Sequence, residues 1–161
     1  MRHVHRRDVK HGSVDSGMLI NRTTPCVGVC STTYGDLVCR GCKRFSHEIV
    51  GWNGYEPDQK DRVWARLSEL SNESVRACVR VQDEDRWQQT IASMTHADSN
   101  EFAALVLGVL RKVVQKPIEA GLEPLGLPRD VLSRDVLRSI DREFYIRSMA
   151  YYERSFKTLA L

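Results

Sequence analysis

Four of the chain's five cysteines lie between residues 26 and 42, in the stretch PCVGVCSTTYGDLVCRGC, with the spacing C-x3-C-x8-C-x2-C. Nothing else in the sequence constrains folding as strongly. A C-x2-C or C-x3-C pair lets two thiolates face one site from a tight turn, and a short spacer brings the second pair to complete a tetrahedral set. Gly28, Gly35 and Gly41 punctuate the loop where it must turn sharply. Cys26, Cys30, Cys39 and Cys42 are therefore the candidate metal ligands. Four thiolates suit Zn2+ and equally an iron–sulfur cluster, and spacing does not separate the two. A module this small and poor in apolar residues also needs a metal to fold, so a purely structural metal is one reading of the cluster.

Two disulfides would be the other way to hold four thiols. The N-terminal stretch MRHVHRRDVKHGSVDSGM lacks the apolar core of an export signal. FAALVLGVL, residues 102–110, is the longest apolar run; it has roughly half the length a bilayer span needs, and Arg111 and Lys112 end it. The expectation is a cytoplasmic protein with no membrane contact, in a compartment where paired cysteines more often bind metal. A net charge of +3 permits an acidic partner without demanding one.

Residues 1–22 are polar and aperiodic and read as a disordered tail. The four-cysteine module follows at 23–70, a helical connector at 71–99 and a helical region at 100–161. Within the module, Ser46 is the expected cap of a short helix carrying Ile49, Val50 and Trp52. Pro57 and Asp58 open a second helix, with Val63, Trp64, Leu67 and Leu70 as its apolar stripe. A cap at Ser71 or Asn72 is expected to start another, lined by Val75, Cys78, Val79, Trp87 and Ile91 and interrupted at QDEDR. THADSN, residues 95–100, is a polar boundary. Asn100 then caps a helix with the stripe Phe102, Leu105, Val106, Val109, Leu110 and Val113, ended by Pro117. Beyond a Gly/Pro-rich turn, Leu132, Val136, Ile140, Phe144, Met149, Tyr152 and Phe156 recur at helical spacing. No useful stretch alternates as a strand does. The fold class is mainly α, with a small metal knuckle and short helices followed by a helical C-terminal region.

The segments TPCVGVC, GDLVCRGCKRFSHEIVGW and DQKDRVWARL resemble the bacterial family catalogued as domain of unknown function 1289, described as predicted iron–sulfur proteins. The positions that carry the resemblance are Pro25, Cys26, Cys30, Gly35, Cys39, Gly41, Cys42, Glu48, Ile49, Trp52, Arg62, Val63 and Leu67. Phe45-Ser46-His47 departs from the family pattern, and the resemblance stops near residue 70. It implies an iron–sulfur site on the four cysteines and tips a near-even choice slightly away from zinc.

Other candidates have blander explanations. His47 reads as a polar residue of a first helical turn, Cys78 as a buried inert thiol, and Glu48 as an acid favoured at a helix N-terminus. Trp52 and Trp64 read as core, with an exposed Trp52 as the alternative. Arg134, Arg138, Arg142, Arg147 and Arg154 alternate with acids, the pattern of an ion-paired helix face. Phosphate loops, zinc-protease helices and nucleophile elbows are absent from the sequence, so enzyme chemistry lacks support. The reading is a non-enzymatic metal-binding protein with a redox, cluster-handling or partner-binding role. Its C-terminal helices would serve a protein partner or self-association. The alternative is a zinc-stabilised interaction or nucleic-acid-binding module with a structural metal.

Overall fold

The computed structural model of the chain describes residues 24–93, 102–115 and 133–157. Five helices order it: α1 Ser46–Gly51, α2 Pro57–Cys78, α3 Glu84–Ser93, α4 Phe102–Gln115 and α5 Ser133–Tyr152. One 3-10 turn precedes them at Ser31–Tyr34, another follows α1 at Trp52–Gly54, and a π-helical turn, Glu153–Lys157, extends α5. No strand occurs among the described residues, only an isolated bridge between Val38 and Phe45. The expected tail, the THADSN boundary, the Asn100 cap, the Pro117 stop and the Gly/Pro-rich turn lie outside the described residues.

The long helix α2 is the backbone of the fold. Pro57 occupies its first turn, and the capping Glu56 donates its N–H to Gln59 Oε1 at 2.8 Å. It runs unbroken past Ser71 and Asn72, so the expected new cap there is overturned. Asn72 instead uses its side chain across the bundle, accepting from the Ala103 N–H of α4 at 3.0 Å. The chain breaks after Cys78, and Asp83 then caps α3 by accepting from the Arg86 N–H at 3.1 Å.

Two cores flank α2. Val75, Val79, Trp87, Ala103, Val106, Val109, Leu110, Val136 and Ile140 form the larger, with Cys78 and Ile91 packed at its edge. Trp52, Val63 and Leu67 form the smaller, joined by Tyr55, Trp64 and Phe144. Phe144 brings α5 onto the cysteine-bearing half, and Arg147 of α5 reaches Glu73 of α2 at 2.9 Å. The apolar stripes read from sequence on α2, α4 and α5 are the faces that meet here. α1 differs: Val50 is exposed while Glu48 is buried.

Candidate metal centre

Residues 37–46 close into a knuckle. Cys39 N–H donates to the Arg44 carbonyl, Lys43 N–H to the Cys39 carbonyl, and Ser46 N–H to the Leu37 carbonyl, each at 2.9 Å. The tight return needs a left-handed residue, and Lys43 supplies it at φ 60°. Lys43 is also only 1 % exposed. Its ammonium donates to the carbonyls of Arg40 at 2.6 Å and Gly41 at 3.1 Å and pairs with Asp141 of α5. A buried cation thus holds the turn between Cys39 and Cys42 and ties it to the C-terminal helix.

The first cysteine pair sits on the segment that crosses this knuckle. A Cβ on Gly41 would lie 2.7 Å from Val27 Cγ2 and 2.8 Å from the Val29 carbonyl, so only glycine permits the approach. Arg40 N–H donates to Ser31 Oγ at 2.8 Å, a second tie between the two halves of the loop. Cys26 is exposed, Cys30 half-buried, and Cys39 and Cys42 buried. Val27 and Val29 stand 64 % and 74 % exposed beside them.

Sulfur-directed hydrogen bonds distinguish the loop. Cys26 Sγ accepts from the Gly28 N–H at 3.4 Å, Cys42 Sγ from Arg44 Nε at 3.4 Å, and Cys30 Sγ meets Thr32 Oγ1 at 3.0 Å. Burial pushes the Cys39 thiol up, yet hydrogen bonds from the backbone of Cys42, Ser31 and Gly41 and from the Cys42 side chain outweigh it. They bring Cys39 down to about 7 from an ordinary 9.0. Burial raises Cys42, with Arg44 opposing. The fifth cysteine, Cys78, is raised by burial and by Glu143, as suits the inert thiol expected of it.

The structure brings Cys39 and Cys42 together and lays the Cys26–Cys30 segment alongside. Among the described residues, no three His, Cys, Asp or Glu side chains are gathered into a group that could hold a metal ion. The donor set nevertheless has soft-metal chemistry: four thiols, N–H groups aimed at sulfur, and one thiol, Cys39, lowered to about 7 although it also donates to the Val29 carbonyl at 3.7 Å.

Behind the knuckle lies a charged anchor that the sequence reading missed. The Glu48 carboxylate accepts from the Phe45 N–H at 2.8 Å and from Arg66 Nη2 at 2.7 and 2.9 Å. Phe45, not Ser46, is the residue that caps α1. The Arg66 guanidinium stacks 3.9 Å over the Phe45 ring, which also packs on Tyr152 and Phe156. Both members of the pair are 8 % exposed at their side chains. The signal for it was Arg66 itself, which stands among Val63, Leu67 and Leu70 at helical spacing on the apolar face of α2. Trp52 is buried between Arg44 and Lys60, which removes the exposed-tryptophan alternative. His47 is exposed and stacks on Phe156 at 5.0 Å, away from the cysteines in role.

A glycine-hinged cysteine loop braced by short helices on a longer one defines a small cysteine-knuckle domain of the helical class. Residues 24–71 match the family model described as protein of unknown function (DUF1289), and this part of the chain is similar to that family. No curated protein and no solved structure matches the chain. No helix among the described residues is long and apolar enough to cross a membrane.

Proposed function

We propose that the chain is a non-enzymatic metal-binding protein of the cytoplasm in which Cys26, Cys30, Cys39 and Cys42 hold an iron–sulfur cluster. The observation that carries this reading is the hydrogen-bonded Cys39 thiol, lowered to about 7 beside Cys42 in a knuckle crossed by the other two cysteines. Thiolates are the form that both iron and zinc bind, and N–H bonds to sulfur are the protein's means of tuning such a centre. Closing the set asks the Cys26–Cys30 segment to move toward Cys39 and Cys42. That segment buries little, so the movement breaks few contacts. When bound, the cluster would supply one-electron chemistry, while Gly28, Gly41 and Arg44 would orient the sulfurs around it. Ile146 and Phe156 leave apolar surface on α5 and its extension, which supports a protein partner or a second copy there; sedimentation over a range of concentrations separates the two.

The test is anaerobic purification followed by metal and acid-labile sulfide determination and a visible spectrum. Iron, sulfide and a brown colour are expected. One zinc per chain, no sulfide and no colour would refute the cluster and leave the zinc-stabilised module.

A further inference from the structure

We propose a second site, distinct from the cysteines, that takes a small aromatic carboxylate between α1, α2 and the C-terminal end of α5. A cavity of about 320 Å³ opens there, with Phe45, Tyr55, Arg62, Arg66, Tyr151 and Phe156 in its wall. That volume is at the lower end of ligand-sized pockets and is enough for a one-ring compound.

Three observations point to the chemistry. First, Arg66 is more than nine-tenths buried, and its Nη1 has no hydrogen-bond partner. Its Nη2 is spent on both oxygens of Glu48, whose carboxylate is in turn engaged by the Phe45 N–H. The Nη1 donor is shut from solvent against the Phe45 and Tyr151 rings, so a ligand carboxylate, the best-matched acceptor, meets it once those rings part. Second, with Glu48 committed to Arg66, the charge left in the wall is that of Arg62. Its ion pair with Asp58 is a solvent-exposed i, i+4 contact, easily exchanged for another anion. Third, the wall is rich in aromatic side chains, Phe45, Tyr55, Tyr151 and Phe156 with His47, which suits a flat apolar ligand. Arginines and rings together recognise a planar acid; a cation would meet Arg66 and Arg62.

Titration of the full chain with benzoate, followed by backbone amide NMR shifts, tests the assignment, with inorganic phosphate and cyclohexanecarboxylate as parallel probes. Saturable shifts at Phe45, His47, Tyr151 and Ser155 are expected with benzoate. Arg66 variants threaten the fold, so the exposed positions carry the test. Arg62→Gln should weaken benzoate about tenfold, the equivalent of one charge-assisted hydrogen bond, and Phe156→Ala should abolish its advantage over cyclohexanecarboxylate. No saturable shift up to about 10 mM, where a millimolar ligand would fill its site, overturns the proposal. So does equal saturation by phosphate, or unchanged benzoate affinity in Arg62→Gln.

Discussion

Neutralising Glu48 by Glu48→Gln should be among the most damaging conservative changes in the chain. The carboxylate lies 2.7 and 2.9 Å from Arg66 Nη2, and both side chains are 8 % exposed. At an effective dielectric constant of about 20, charges at that separation attract by about 6 kcal/mol. Removing one of them returns that carboxylate's own desolvation penalty, a few kcal/mol, and leaves Arg66 buried without a counter-charge. The Phe45 N–H keeps an oxygen acceptor in glutamine, at a loss of about 1 kcal/mol for the missing charge. The expected net destabilisation is about 3 to 4 kcal/mol, in the range seen when one member of a buried pair is deleted. In urea melts with a slope near 2 kcal/mol per molar, the midpoint should fall by about 1.5 to 2 M. The wild type and variant must be compared in the same metal state. Pairing the change with Arg66→Met should recover much of the loss, giving a coupling energy of about 2 kcal/mol or more. A single-variant loss below about 1 kcal/mol, or a strictly additive double variant, would refute the claim that this pair anchors α1 on α2.

Gly41→Ala should force Val27 and the Val29 carbonyl away, costing about 1 to 3 kcal/mol and weakening metal retention against a chelator; unchanged retention would remove the packing argument. In the metal-free protein, Cys39 should ionise near pH 7 as read by thiolate absorbance, a transition missing in Cys39→Ser. Because its folded value lies below the ordinary 9.0, the stability it contributes is absent below about pH 7 and grows as pH rises from 7 to 9. Above that, Cys42 and Cys78, both raised by burial, oppose the trend. Denaturant midpoints across this range check the sign, and a fall between pH 7 and 9 would contradict it. Lys43→Met should leave the Arg40 and Gly41 carbonyls and Asp141 without their cation; amide exchange at the start and middle of α5 should then quicken, while α3, which lacks this tie, should not change.

The helices were legible because apolar periodicity is a property of single segments. α2, α4 and α5 bury the stripes that the spacing of Val63, Leu67, Leu70, of Val106, Val109, Leu110, and of Val136, Ile140 announced. The turn at Cys39–Cys42 was legible because its spacing is a local code, whereas the four cysteines are not gathered into one metal-holding group among the described residues. The start of a helix at Ser71 was misread because Ser and Asn are good caps in isolation. Here helix continuity wins: Leu70 and Ser74 sit in successive turns of one buried face, and Asn72 finds its partner on α4 instead. Ser46 failed as a cap for a related reason, since Glu48 reaches back to the Phe45 N–H and moves the helix start by one residue.

What stayed hidden was how the cysteine half meets the C-terminal helices, and the cause is physical. The joints are made by charged residues, which a hydrophobic pattern assigns to solvent. Lys43 is 1 % exposed, close to the core valines Val38 and Val75, and its partner Asp141 lies far along the sequence. Arg66 sits on an apolar face because Glu48 and the Phe45 ring receive it. Neither pairing has a sequence period, because each depends on two segments that only the fold brings together. The sequence resemblance ended near residue 70, yet α5 supplies Asp141 to the knuckle and Phe144 to the core beneath it. The cysteine loop is therefore built against a helix that lies outside the matched segment, and its stability should depend on that helix even though α5 carries no cysteine.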